Sequence, residues 1–303
     1  MSSIISTPHK KRGIILAGGR GTRLMPVTAV FSKQLLPIFD KPLIYYPLAI
    51  LMMTGIRDVL IITTPSDRVL FERLLGDGSQ WGISLQFCVQ SEPNGLAEAF
   101  ILGEQFLAGE PSCLVLGDNV FYGHALPALL MAAADKNRGA TIFGYQVRDP
   151  ERYGVVEFGP DRRVVSIEEK PRVPKSNYAV PGIYFYDGRA SEFARSMKPS
   201  ARGELEITDL NMCYLAEGSL TVELLGRGVA WLDTGTPASL AQASTFIETI
   251  ELRQGLKVCC PEEIAYNNRW IDDDRLLRLA TQMGDCSYAD YLRGLIAHRH
   301  SGV

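Results

Sequence analysis

Histidine is nearly missing from this 303-residue chain. There are four, with His9, His298 and His300 near the termini and only His124 well inside. A mechanism built on a histidine general base is therefore not expected. Cysteine is also sparse. The six residues form no C-x-x-C pair and five lie in or beside apolar segments, which predicts buried free thiols rather than a metal site or disulfide frame. Long apolar runs are lacking too: stretches such as 13–17 and 59–62 fall far short of the roughly 20 residues a membrane span needs, so no span is expected. At the N-terminus, Lys10-Lys11-Arg12 follows a very short apolar stretch, the reverse of a secretory signal, and a cytoplasmic location is the expectation. No other basic block occurs and the net charge is −3, which argues against a nucleic-acid polymer as partner. A small anion needs only local positive charge and stays open.

What the chain does have is core material. Hydrophobic residues make up 46%, and a chain of this length buries roughly 75% of its unfolded surface. From residue 13 to about 147, short β-branched runs (13–17, 59–63, 84–89, 113–116, 140–145) alternate with helical patterns (42–54, 66–75, 96–107, 125–136). That rhythm predicts an α/β fold, a mostly parallel, Rossmann-like sheet flanked by helices, with ligands beyond the carboxyl ends of its strands. After Asp149-Pro150 the spacing shortens. Strands are expected at 154–158, 164–169 and 178–186, helices near 191–197 and 207–217, a strand pair at 220–225 and 229–232, and a helix over 237–253. The organisation expected is an N-terminal tail (1–12), a continuous α/β unit (13–255) with a nucleotide half (about 13–147) and a sugar half (about 148–255), and a helical C-terminal segment (256–303) for subunit contacts.

The first strand runs into Ala17-Gly18-Gly19-Arg20-Gly21-Thr22-Arg23-Leu24. Three glycines in four positions let the backbone turn sharply and aim amides at one spot, while two arginines bring charge there: an anion cradle, or a plain Gly-rich turn. It is not a P-loop, because no Gly-Lys-Ser/Thr follows, nor a dinucleotide fingerprint, because Leu24 stands at the third glycine. Further on, Lys33 stands against the apolar run Leu35-Leu36-Pro37 rather than in a charged patch.

The strings Gly-Gly-x-Gly-Thr-Arg-Leu, Ser32-Lys33-Gln34-Leu35-Leu36-Pro37 and Lys41-Pro42 resemble the nucleotidyltransferases that make sugar nucleotides. With Lys41-Pro42-Leu43-Ile44-Tyr45-Tyr46-Pro47, Leu116-Gly117-Asp118-Asn119, Glu151-Arg152-Tyr153-Gly154-Val155-Val156-Glu157, Glu168-Glu169-Lys170-Pro171, Gly203-Glu204-Leu205-Glu206-Ile207-Thr208-Asp209 and Trp231-Leu232-Asp233-Thr234-Gly235-Thr236, the pattern is similar to the glucose-1-phosphate thymidylyltransferase branch over about residues 12–295. The resemblance implies that dTTP and α-D-glucose 1-phosphate give dTDP-glucose and pyrophosphate, the first step toward dTDP-L-rhamnose and related deoxysugars. Alternatives are a uridylyltransferase using UTP, a non-catalytic nucleotide-sugar sensor of the same fold, and, disfavoured by the failed fingerprint, a nicotinamide oxidoreductase.

The scarcity of histidine suits that reaction. A phosphate oxygen is ionised at neutral pH and needs no base, whereas two polyanions must be brought together. Unit charges about 4 Å apart interact by about 4 kcal/mol at an effective dielectric near 20, so placed cations decide the rate. The resemblance implies Arg23 and Lys33 on the triphosphate, supported by the loop around Gly18, Gly19, Gly21 and Thr22 and by Leu16 and Gln34. It implies Lys170, assisted by Arg202, on the sugar phosphate. Asp118 and Asp233 each follow an apolar run and could share a Mg²⁺, which accepts one or two carboxylates plus phosphate oxygens. Gln90 could pair with the O4 and N3–H edge of thymine, and Gly95 could let backbone approach the base. Asn119, Tyr153, Gly154, Glu169, Val180 and Tyr184 are the implied partners of the sugar. The family further implies a homotetramer with an inter-subunit feedback site for dTDP-rhamnose, drawing on Tyr122, Gly123, Arg227, Glu263 and Ile264, although Pro127 and Ala128 stand where more polar side chains are expected.

Overall fold

The computed structural model describes residues 10–301 except Arg20, Asn137 and Arg162. Most of the expected N-terminal tail and one of the two loop arginines therefore lie outside the described residues. The strand Arg12–Ala17 runs between two parallel neighbours, Asp58–Thr63 and Ser112–Leu116, and Ser84–Val89 adds a third parallel pairing at the edge. Alternation in these strands feeds two cores. Ile15, Ala17, Val59, Ile61, Cys113 and Val115 join one apolar cluster, and Ile14, Leu16, Leu60, Ile62 and Leu114 join the other. Both faces are covered, which is why the strands read as continuous apolar runs.

The sheet has ten strands and continues into the sugar half through Ile183–Tyr186, which lies antiparallel between Ser112–Leu116 and Ala140–Gln146. Beyond lie Tyr178–Ala179, Gly154–Phe158 and Val164–Glu169 in antiparallel pairings. On one face pack the helices Tyr45–Met53 and Leu126–Ala134 together with the C-terminal helices Pro261–Asn267, Asp273–Met283 and Ser287–Ser301. The C-terminal segment is tied down by a buried polar contact: Trp81 Nε1 donates to Glu262 Oε1 at 2.9 Å. On the other face lie Glu98–Leu102, Glu104–Leu107, Ala190–Ser196 and Ile207–Ala216.

Four local expectations are corrected. The helix expected over 96–107 is split at Gly103, and the one expected from 42 starts only at Tyr45, because Lys41–Pro42 pairs with Pro37–Ile38. The strand expected over 178–186 is interrupted at Val180-Pro181-Gly182, since proline cannot donate to the ladder. The strands at 220 and 229 do not pair with each other. Leu220–Leu224 joins Ala140–Gln146 in parallel, whereas Val229–Asp233 pairs antiparallel with Asn119–Gly123. That last ribbon, whose first strand was not expected at all, sets Asp233 opposite Asn119 and so carries Asp233 beside Asp118.

One joint holds the halves together. Gly95 has φ +108°, and a Cβ there would lie 2.3 Å from Leu205 O and 2.5 Å from Leu205 N. The missing side chain lets two backbone bonds form, Leu205 N to Asn94 O at 2.6 Å and Ala97 N to Leu205 O at 3.0 Å. Gly95→Ala is expected to destabilise the protein by more than about 1 kcal/mol, through both the clash and the unfavourable φ. A denaturant midpoint equal to wild type would remove this role.

Candidate active site

Gly18, Gly19, Gly21, Thr22, Gln90 and Asp118 all follow carboxyl ends of parallel strands, and so open onto one edge of the sheet. A cleft lined by Leu16, Gly18, Gly19, Gln34, Gln90 and Gly95 meets a larger one of about 680 Å³ on the sugar side. Leu96, Leu116, Asp118 and Glu204 line both, so the two clefts join at Asp118.

In the first cleft, Gln90 is buried and its amide nitrogen donates to Glu98 Oε2 at 2.6 Å and to Gly95 O at 3.2 Å. Those partners can only accept, which leaves Oε1 free as an acceptor. A Cβ at Gly18 would stand 2.7 Å from that oxygen, so the glycine keeps its approach open. The carboxamide thus offers an acceptor suited to an N3–H, and its donor role is taken up internally. Gln34 is buried, with Oε1 accepting from Ser32 Oγ at 2.7 Å. Gly21 has φ +60°, and its carbonyl accepts from Thr28 Oγ1 at 2.8 Å, which fixes the turn that leads to Arg23.

Charge is concentrated at the junction. Lys33 is only 5% exposed, and its Nζ donates to Asp118 Oδ2 at 2.7 Å. Asp118 Oδ1 accepts from Asn119 Nδ2 at 2.8 Å, and its carbonyl accepts from Thr234 Oγ1 at 2.8 Å, which binds the two carboxylate-bearing segments together. Burial, and then the charge of Asp118, push the Asp233 carboxyl above its usual range; Lys33, Arg23 and Arg152 pull it back. Arg152 Nη2 lies 3.3 Å from Asp233 Oδ2. Two carboxylates close enough to oppose each other's ionisation suit a divalent cation. No group of three or more such ligands occurs among the described residues, so phosphate oxygens and water would complete its shell.

The sugar side is more heavily wired internally than expected. Asn119 Oδ1 accepts from Trp231 Nε1 at 2.6 Å and from Gly182 N at 3.2 Å, so its side chain orients Asp118 and holds the ribbon in place. Glu169 Oε2 accepts from Thr208 Oγ1 at 2.7 Å beside Gly154, and its Oε1 lies 3.4 Å from Lys170 Nζ. Arg202 is held by Glu206 Oε1 at 2.7 Å and reaches Glu169 only at 3.5 Å. Lys170 has φ +46°, a backbone conformation unusual for a side-chain-bearing residue, and its half-exposed side chain lines the cleft. Tyr153 packs on Trp231 with ring centroids 4.9 Å apart, and its hydroxyl is pushed up to about 12, chiefly by burial, so it stays a donor. Val180 and Tyr184 line the same cleft.

Of the residues implied for an effector, Tyr122 and Ile264 pack on one apolar cluster and Gly123 faces Gly228 O. Glu263 is turned to Tyr291, whose hydroxyl donates to it at 2.8 Å. Sequence reasoning missed Glu98, Arg152, Thr208, Trp231, Thr234 and Gly235 as site residues. Most stood inside the quoted motif strings; Glu98 could have been found from Asn94, which donates to it at i,i+4 spacing.

The family model for nucleotidyl transferases matches residues 12–250. A glucose-1-phosphate thymidylyltransferase from Xanthomonas campestris pv. campestris is 60% identical over 286 residues, covering 94% of this chain and 97% of that protein. The one from Neisseria meningitidis is 58% identical, covering 94% and 99%. This chain belongs to the glucose-1-phosphate thymidylyltransferases. Among solved structures, one titled a glucose-1-phosphate thymidylyltransferase, from Bacillus anthracis in complex with sucrose, matches with TM-score 0.72 and 41% identity over 78% of this chain and 94% of that one. A UDP-glucose pyrophosphorylase complexed with UDP-glucose matches at TM-score 0.69 and 25% identity, covering 79% of this chain and 99% of that one. No described helix is long and apolar enough to cross a membrane.

Proposed function

We propose that this chain transfers the thymidylyl group of dTTP to α-D-glucose 1-phosphate, giving dTDP-glucose and pyrophosphate. The observation that carries the proposal is the meeting of the two clefts at Asp118, where Lys33 is buried on one carboxylate and Arg23 and Arg152 stand near the other. A phosphate oxygen of the sugar phosphate forms the new bond to the α-phosphorus, and the bond to the pyrophosphate oxygen breaks. No proton needs to move. Lys33, Arg23 and the loop amides stabilise charge on the departing pyrophosphate, while Lys170 and Arg202 hold the attacking phosphate. Asp118 and Asp233 would hold Mg²⁺, which when bound neutralises and polarises phosphate oxygens.

The base contact at Gln90 does not set thymine apart from uracil. Gln90 Oε1 can accept from the N3–H of thymine or uracil alike, so UTP is expected to support turnover as well. The same reading places the enzyme at the first step of dTDP-L-rhamnose or related deoxysugar synthesis, in the cytoplasm, as a homotetramer under feedback control through Tyr122, Gly123, Arg227, Glu263 and Ile264. The test is pyrophosphate release from dTTP, followed with Mg²⁺ and glucose 1-phosphate present or omitted in turn. Release is expected only with both. No release with both present would sink the proposal.

A further inference from the structure

Gly235 is buried, and it follows Asp233-Thr234 directly before the cap of the long helix Pro237–Gln254. Its backbone does not require glycine: it is absent from the positive-φ residues of the chain, unlike Gly21 or Gly95. What forbids a side chain is the site itself. A Cβ at Gly235 would lie 2.7 Å from Arg23 Nη2, 3.1 Å from Arg23 Cζ and 3.0 Å from Asp233 Oδ1. Apart from its own chain neighbours, the three nearest atoms to that point are the guanidinium end of one proposed phosphate-binding residue and the carboxylate of one proposed metal ligand.

Arg23 itself is exposed and sits in the short 3-10 turn Thr22–Leu24. A flexible, exposed arginine loses side-chain freedom when fixed, so a bare backbone surface that receives its planar end makes that ordering easier.

We propose that Gly235 is a positioning residue: its missing side chain forms the seat that receives the Arg23 guanidinium, with the Asp233 carboxylate flanking the same bare backbone, at the junction where the triphosphate arrives. The inference rests on the functional reading above. A methyl group here displaces a flexible side-chain end rather than backbone, so Gly235→Ala changes the placement of Arg23 and leaves the fold intact.

The test is a double-mutant cycle on the full-length enzyme. Gly235→Ala, Arg23→Ala and the pair are compared by kcat/KM, by dTTP affinity from calorimetry without sugar phosphate, and by thermal midpoint. Gly235→Ala is expected to lower kcat/KM by about 10- to 100-fold with its midpoint close to wild type. In the Arg23→Ala background the same change is expected to have almost no further effect, because the side chain it displaces is gone. Equal losses in both backgrounds overturn the inference, as does wild-type kinetics for the single variant. If Gly235→Ala folds poorly, the pair separates the causes: recovery of the midpoint in the pair supports the seat, and failure of both means that glycine is needed for the backbone. A wild-type enzyme that releases no pyrophosphate would instead overturn the functional reading, an outcome distinct from any of these.

Discussion

Lys33→Ala is expected to reduce kcat by at least about 10²-fold at saturating substrates, the scale seen when one preorganised electrostatic contact is removed. The lysine is 5% exposed and bonded to Asp118 at 2.7 Å, so no neighbouring cation can simply slide into its place. Two losses coincide. The departing pyrophosphate loses a proposed counter-charge, and the Asp118–Asp233 pair loses a cation that holds the Asp233 carboxyl down. Lys33→Arg is not expected to rescue, since a planar, longer head cannot occupy a buried slot shaped for an ammonium. Steady-state kinetics of both variants checks this; near-wild-type turnover in Lys33→Ala would remove the lysine from the mechanism.

Asp233→Asn is expected to act in opposite directions on activity and stability. Activity should fall by at least about 10²-fold, because one of the two carboxylates proposed to hold the cation is gone. The unliganded protein should become more stable at neutral pH. Burial and the Asp118 charge raise the folded-state pKa of Asp233 above its unfolded value of 3.8, so the folded state holds this proton more tightly than the unfolded chain does. Stability from this group is therefore lost as pH rises through that window and stays lost above it. The neutral amide removes the penalty. With divalent ions chelated, the thermal midpoint of Asp233→Asn should exceed wild type at pH 7, and the difference should fade below about pH 4, near the unfolded value. A lower midpoint at pH 7 would mean that the Arg152 ion pair and the nearby charges of Lys33 and Arg23 outweigh burial and the repulsion from Asp118.

How much of this was legible depended on how local the cause was. The parallel strands could be read because both faces are buried and every residue from Ile14 to Ala17 is apolar. Lys33 stood out because a charged side chain beside Leu35-Leu36-Pro37 has few reasons to be there other than a partner. The ribbon of Asn119–Gly123 with Val229–Asp233 escaped notice because its two strands are more than a hundred residues apart and each is only five residues long. The internal wiring of Asn119, Gln90 and Arg202 was equally hidden. Side-chain chemistry says what an amide or guanidinium can bond, and only the fold says that Trp231, Glu98 and Glu206 have already taken part of that capacity. Gly235 shows the same limit, since its neighbours in space, Arg23 above all, determine why it lacks a side chain.

Where the two clefts join, a single direct displacement at the α-phosphorus is expected, with no nucleotidyl group parked on the protein. The most direct measurement is the stereochemical course with a single diastereomer of the α-thio analogue of dTTP. One in-line attack predicts inversion at phosphorus in the dTDP-glucose product. Retention would mean two displacements through a covalent enzyme intermediate, and would contradict the account.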